Sequence, residues 1–277
     1  MIALGLALAA ASAVAINGGY RLQHAAASAL PPLSLRRPFR SLRSLFASRS
    51  WSIGFLGGIA GWALYVVALK VAPLSIVQAA SAGGIGVLAL GSTRLDAAER
   101  IGVGAALGGL LLLALSLGGN SGTGHGVASA AAGWMIVSVL AAGLVARALP
   151  GGAGLGTAAG VLYAAGDVGT KAAVGGGARL WFVPALLACH GLAFVCLQLA
   201  FQRGGRLATA GLAVLWTNAL PILAGTVLFG EELPGGWRGA ARIAAFGLVL
   251  VGAVALSRSD AGPPFDALEG DARLSID

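Results

Sequence analysis

The sequence predicts an all-α integral membrane protein with about nine transmembrane helices arranged in two inverted repeats. The chain of 277 residues is 57% hydrophobic and 10% charged, with a mean hydropathy of +0.87. A soluble domain would be about 25% charged. Apolar runs long enough to cross a bilayer, ~17–25 residues, recur along almost the whole chain. Segments 68–100 and 200–232 also share a pattern at a constant offset of 132, with Lys70 falling on Gln202 and Glu99 on Glu231. Each segment holds a short junction, a long apolar helix, a break, and a glutamate opening the next helix.

Taken in order, the runs lie at roughly 2–20, 51–69, 74–92, 101–118, 127–146, 154–174, 180–201, 207–229 and 239–257. Their ends are marked by Pro73, Arg94, Gly119, Pro150, Gly175, Arg203, Pro234 and Arg258. Together they make one transmembrane domain over 1–257: a first half of about 1–119, a connector span of about 127–146, and a second half of about 153–257. The N-terminal run ends in small residues, as a secretory leader does. It lacks a basic start and many spans follow, so it reads as a retained first helix. The tail 258–277 is polar and contains prolines, and is expected to be disordered. The 45 glycines suit helices that pack closely in lipid, with Gly54/Gly58, Gly57/Gly61 and Gly104/Gly108 at GxxxG spacing.

Orientation follows from the basic residues. With nine spans, 13 of the 18 lysines and arginines fall on one side and 5 on the other. Cytoplasmic loops carry the excess of basic residues, so the N-terminus is expected outside and the C-terminus in the cytoplasm of a cell membrane. This puts the loop between spans 3 and 4 inside and its counterpart between spans 8 and 9 outside, which is what makes the repeats inverted. The net charge of +8 includes six arginines between Arg21 and Arg49. Lying between two apolar runs, they fit an anionic lipid surface better than nucleic acid. Cys189 and Cys196 lie two helical turns apart, roughly 10 Å by helical rise, too far to bridge.

Polar residues inside the spans are the candidates for function, because an ionisable group at membrane depth normally faces a protein interior or a water-filled cavity. The run 154–174 carries Asp167 and Lys171, whose i, i+4 spacing puts both on one helix face, about 6 Å apart at Cβ. The first run repeats the pattern with Asn17 and Arg21. Two roles fit Asp167 and Lys171: a structural ion pair, or a substrate or proton site. If the halves are inverted, Asn17 and Asp167 face a common cavity, with Arg21 and Lys171 toward opposite mouths. His190 is either a coupling group titrating near neutral pH or a histidine hydrogen-bonded between helices. Gln78, Gln198, Gln202 and Asn218 serve as interhelical bonds or as the wall of a polar cavity. Tyr20 and Tyr163 neighbour the polar positions, Pro184 and Pro221 can kink their spans, and Trp62, Trp134, Trp181 and Trp216 include interface anchors. The sequence contains no Walker loop, nucleophile elbow or metal-spaced His/Glu group. The run GVGAALGG at 102–109 lies within a span rather than after a strand. Neither an enzyme nor a cofactor is expected, and metal ligands are undefined.

The junction Ala68-Leu69-Lys70-Val71-Ala72-Pro73-Leu74-Ser75-Ile76-Val77-Gln78, with Gly230-Glu231-Glu232 before a glycine-rich last helix, resembles the drug/metabolite transporter (DMT) superfamily of EamA-like carriers. The first span with its trailing basic residue, the long polar loop 21–50 and the count of nine are closer to the NIPA-like magnesium-transporter branch. The resemblance covers about residues 2–257 and implies a carrier driven by an ion gradient or by exchange. The expected function is thus secondary transport of a small polar metabolite or ion. Alternatives are a divalent-cation permease and a non-transporting helical scaffold. A magnesium path calls for oxygen ligands, ideally carboxylates, and within the spans Asp167 is the one carboxylate, with Lys171 beside it. The expected partners are the lipid bilayer and a small-molecule or ion substrate, with no nucleic acid; a homodimer is compatible with this plan.

Overall fold

A computed structural model describes residues 2–34, 36–72, 74–81, 83–89, 95–116, 128–174, 177–228 and 235–258. Every regular element among the described residues is helical. The helices are α1 (Ile2–Ser28), α2 (Pro38–Ala47), α3 (Arg49–Val71), α4 (Leu74–Ser81), α5 (Gly84–Ala89), α6 (Ala97–Ser116), α7 (Ala128–Ala148), α8 (Gly151–Val174), α9 (Phe182–Phe201), α10 (Leu212–Leu228) and α11 (Trp237–Arg258). A 3₁₀ turn, Gly177–Trp181, leads into α9, and a π turn, Leu207–Gly211, leads into α10. Among the described residues, 6 helical segments are long and apolar enough to cross a membrane: Ala3–Ser28, Arg49–Val71, Ala128–Ala148, Gly177–Phe201, Leu207–Gly225 and Trp237–Leu256. Pro73, Arg94, Gly119, Gly175, Pro234, the Gly230–Glu232 motif, loop 119–126 and the tail beyond Arg258 lie outside the described residues.

Local chemistry explains most boundaries. Ser48 opens α3 by accepting the Trp51 amide at 3.3 Å, an N-cap bond. Pro38 sits in the first turn of α2, where its missing N–H costs nothing. Pro150 ends α7, and Gly151, at φ +69°, starts α8 in a left-handed conformation that favours glycine.

Three stretches differ from the sequence-based spans. The helix expected to stop at Tyr20 continues to Ser28, since nothing before Pro31 and Pro32 breaks it and a half-buried arginine is a good helix former. Carbonyls in its last turn and just beyond it are collected by Gln202, whose Nε2 donates to Ala27 O at 3.1 Å and Pro31 O at 3.2 Å. Gln202 Oε1 accepts the Leu33 amide at 2.8 Å. The loop 21–50 holds the amphipathic α2, on which Leu45 is buried while Phe39, Leu42 and Phe46 are exposed. The run 74–92 is two short helices, α4 and α5, broken near Gly83.

The helices pack in close pairs: α1 on α3, α6 on α11, and α8 against α7, α9 and α10. Glycines permit the closest approaches. A Cβ on Gly19 would stand 2.5 Å from Gly54 O, and one on Gly54 would stand 2.6 Å from Gly19 O. Across the same α1–α3 contact, Ser12 Oγ donates to Gly61 O at 2.7 Å. Backbone meets backbone again where Gly160 of α8 faces Ala213 O of α10 and Gly109 of α6 faces Ala245 O of α11, each within 2.9 Å of a built Cβ. Outward faces are apolar: on α7, Ile136, Val137, Leu140 and Leu144 are each more than 60% exposed, as expected where lipid replaces water.

Candidate functional site

The site is built around α8. Its sequence is mostly glycine and alanine, so three neighbouring helices close on it and nearly all of it is buried. That packing leaves Asp167 5% exposed. A buried carboxylate is costly unless other groups meet it, and its partners come from other helices. Gln78 Nε2 on α4 donates to Asp167 Oδ2 at 3.1 Å and also to the Tyr65 hydroxyl of α3 at 2.7 Å. His190 Nε2 on α9 stands 3.6 Å from Asp167 Oδ1. The far nitrogen of that ring, Nδ1, lies 2.9 Å from Leu186 O. A carbonyl only accepts, so Nδ1 carries a proton. Gly166 makes the approach possible, because a Cβ there would overlap the His190 ring. Tyr163 and Trp62 hold the ring edge-on at 5.7 and 5.9 Å between centroids.

Lys171, one turn beyond Asp167, extends to α3, where Nζ donates to Leu69 O at 3.4 Å. A cation at a helix C-terminus offsets the exposed carbonyls and the helix dipole. The two charges that spacing alone joins on one face thus engage different helices.

Asp167 borders a cavity of about 450 Å³ lined by α1, α2, α3, α4, α8, α9 and α10. Seven sequence-derived candidates line it: Asn17, Tyr20, Gln78, Tyr163, Asp167, His190 and Asn218. Arg21, Lys171 and Gln198 are not among the lining residues. Gln198 works beside it, accepting Trp51 Nε1–H at 2.9 Å and donating to Gln23 Oε1 at 2.7 Å. This bond fixes a stack of Trp51 on Phe55, with ring centroids 5.1 Å apart. The rest of the wall is aromatic and apolar, including Phe46, Phe55, Trp62 and Phe194.

Asn17 and Asn218 are each 3% exposed and arranged alike. Asn17 Nδ2 donates to Ala13 O at 2.8 Å and Asn218 Nδ2 to Val214 O at 2.7 Å, each four residues back on its own helix. The backbone carbonyl fixes which end of the amide faces it, so Oδ1 of each points away, and each is buried with no hydrogen-bond partner. Gly84 keeps room for the Asn17 amide, which a Cβ at that position would overlap. Trp62 Nε1 is a buried donor without a partner on the same wall.

Ser12, Gln23, Tyr65 and Thr217 also line the cavity. Single hydroxyls in small-residue helices carry no signal in a sequence. Gln23 does, as a polar residue two positions after Arg21, once the helix is known to run past Tyr20. Of the tryptophans, Trp62 faces the cavity, whereas Trp181 is 57% exposed at the 3₁₀ turn, where an interface anchor would lie. Cys189 and Cys196 are free thiols. Among the described residues, no three His, Cys, Asp or Glu side chains converge as a metal cluster would.

No family model matches the chain, and no solved structure matches it. A segment of 85 residues is 36% identical to the probable magnesium transporter NIPA9 of Arabidopsis thaliana. The match spans 31% of this chain and 24% of that protein, so the likeness reaches about a quarter of the relative's length.

Proposed function

We propose that this chain is a multi-pass membrane transporter, a secondary carrier that moves a small polar metabolite or ion by gradient or exchange and binds it in the cavity at Asp167. One observation carries the reading: a cavity of about 450 Å³ with a buried carboxylate in its wall, lined by helices of which several are long enough to cross a membrane. A structural scaffold has no need of such a space. The partial likeness to a probable magnesium transporter supports transport over catalysis. Nine spans in two inverted halves, N-terminus outside, complete the proposal, with α4 and α5 together as one broken span. Packing supports the two halves. Exchanging α1 with α8, α3 with α9, the α4–α5 unit with α10, and α6 with α11 maps the observed pairs onto one another: α1·α3 becomes α8·α9, α1·α4 becomes α8·α10, and α1·α9 becomes α8·α3. In carriers built this way, the solute site lies where the halves meet, often beside interrupted helices.

A divalent-cation permease is the second reading, favoured by the printed function of the relative and by the two unpartnered amide oxygens. One test addresses both. The purified protein is screened by thermal shift against metabolites, amines and divalent cations, and each stabilising solute is followed into proteoliposomes. Asp167→Asn keeps the shape and removes the charge. We expect it to abolish or uncouple flux while the protein still elutes as a folded species. Full flux in Asp167→Asn would refute the site.

A further inference from the structure

Resting on the reading of this cavity as a transport site, we propose that its solute is a primary ammonium compound with an apolar or aromatic body. The argument is a count of donors and acceptors. Three residues of the wall each hold a buried polar atom with no partner: the acceptors Asn17 Oδ1 and Asn218 Oδ1 and the donor Trp62 Nε1. Four other donors of the wall are already committed. Ser12 Oγ gives its proton to Gly61 O, Ser81 Oγ to Val77 O, Thr217 Oγ1 to Gly160 O, and Gln78 Nε2 serves Tyr65 and Asp167.

A neutral His190 leaves the dyad short of a proton as well. With the Nδ1 proton directed at Leu186 O, a neutral His190 turns the lone pair of Nε2 toward Asp167 Oδ1 at 3.6 Å. Two acceptors then face each other beside a carboxylate charge. The bare site therefore calls for positive charge and for N–H donors together. A primary ammonium brings one charge and three donors. A proton on Nε2 satisfies the dyad alone and leaves both amide oxygens unmet.

The remaining wall selects the body of the solute. Phe46, Phe55, Trp62 and Phe194 present rings, which suit an apolar or aromatic group and attract a cation over their faces. A magnesium ion fits this lining poorly, since it demands about six oxygens in near-octahedral order and sheds water reluctantly. A quaternary ammonium meets the charge and the rings, but it has no N–H for the amides. An anionic solute would have to sit against the Asp167 carboxylate.

The test compares three probes on the purified full chain by tryptophan fluorescence or calorimetry: benzylammonium, benzyltrimethylammonium and magnesium chloride. The two organic cations share body and charge and differ in N–H donors. We expect benzylammonium to bind about tenfold or more tighter than benzyltrimethylammonium, as the loss of hydrogen bonds between a charged donor and buried acceptors implies, and magnesium to give no response. Asn17→Leu and Asn218→Leu should each draw that ratio toward one, and Asp167→Asn should remove binding of both ammonium compounds. The wild-type ratio carries the test even if a variant fails to fold. Equal affinity for the two organic cations, or a ratio unmoved by the Asn substitutions, overturns the proposal. Binding of magnesium that depends on Asp167 overturns the amine assignment and leaves the transport site standing. Silence from all three probes also overturns it, and the flux test on Asp167→Asn then decides the transport reading separately.

Discussion

Gly166→Ala tests whether the geometry at Asp167 is built as described. The added Cβ would occupy the space of the His190 ring, and that ring is pinned by its 2.9 Å bond to Leu186 O and by two edge-on aromatics. Relief requires the ring to swing away, losing a hydrogen bond worth about 1 kcal/mol and straining a packed contact by about 1–3 kcal/mol. The helix-propensity gain of alanine over glycine returns at most about 1 kcal/mol. The expected result is a loss of about 1–3 kcal/mol. Gly133→Ala on α7 and Gly247→Ala on α11, where nothing lies within 4 Å of the built Cβ, should be neutral or slightly stabilising. Detergent-solubilised protein unfolded by heat or SDS and followed by circular dichroism reads the difference. The double variant Gly166→Ala/His190→Ala should recover much of the loss, since the overlap disappears with the ring. Additive single effects, within about 0.5 kcal/mol, would refute the claim that Gly166 exists to admit His190.

Two further outcomes follow from the fold. Gln202→Leu removes the donor that closes the end of α1 and should cost about 1–3 kcal/mol in the same unfolding assay; an unchanged transition would show that water serves those carbonyls equally well. A cysteine at the exposed position Ser50 should react with a membrane-impermeant maleimide only after permeabilisation, and labelling of intact cells would reverse the proposed orientation.

The helices were legible because lipid-facing helices announce themselves as apolar runs, and because Pro150 stops a helix for local reasons. What escaped depended on distant contacts. α1 runs beyond Arg21 because Gln202, some 170 residues away in sequence, receives its end. The amphipathic α2 hid in a stretch whose arginines dominate its composition. Asp167 was legible as the central polar residue, but its partners were not. Lys171 is its neighbour by helical spacing, whereas the carboxylate meets Gln78, 89 residues away in sequence, and His190 on α9. Helical periodicity ranks neighbours along one helix and carries no information about which other helix packs against that face. Asn17 and Asn218 stood out as polar residues. That each spends its amide nitrogen on its own helix and leaves an oxygen over is a property of rotamers and packing.

The contacts in which backbone lies directly on backbone have a mechanical consequence. Where Gly19 meets Gly54, Gly160 meets Ala213 and Gly109 meets Ala245, no layer of flexible side chains lies between the helices to accommodate sliding. Clasped pairs, α1 with α3, α8 with α10, and α6 with α11, are therefore expected to move as units rather than as single helices. The cavity straddles two of these clasps. Asn17 and Tyr65 ride on one, Asp167 and Asn218 on the other. A few degrees of rotation between the two would move an amide oxygen of the first toward or away from the carboxylate of the second. In the proposed carrier, grip on the solute would thus be set by the angle between two stiff bodies, with every helix within them keeping its own shape.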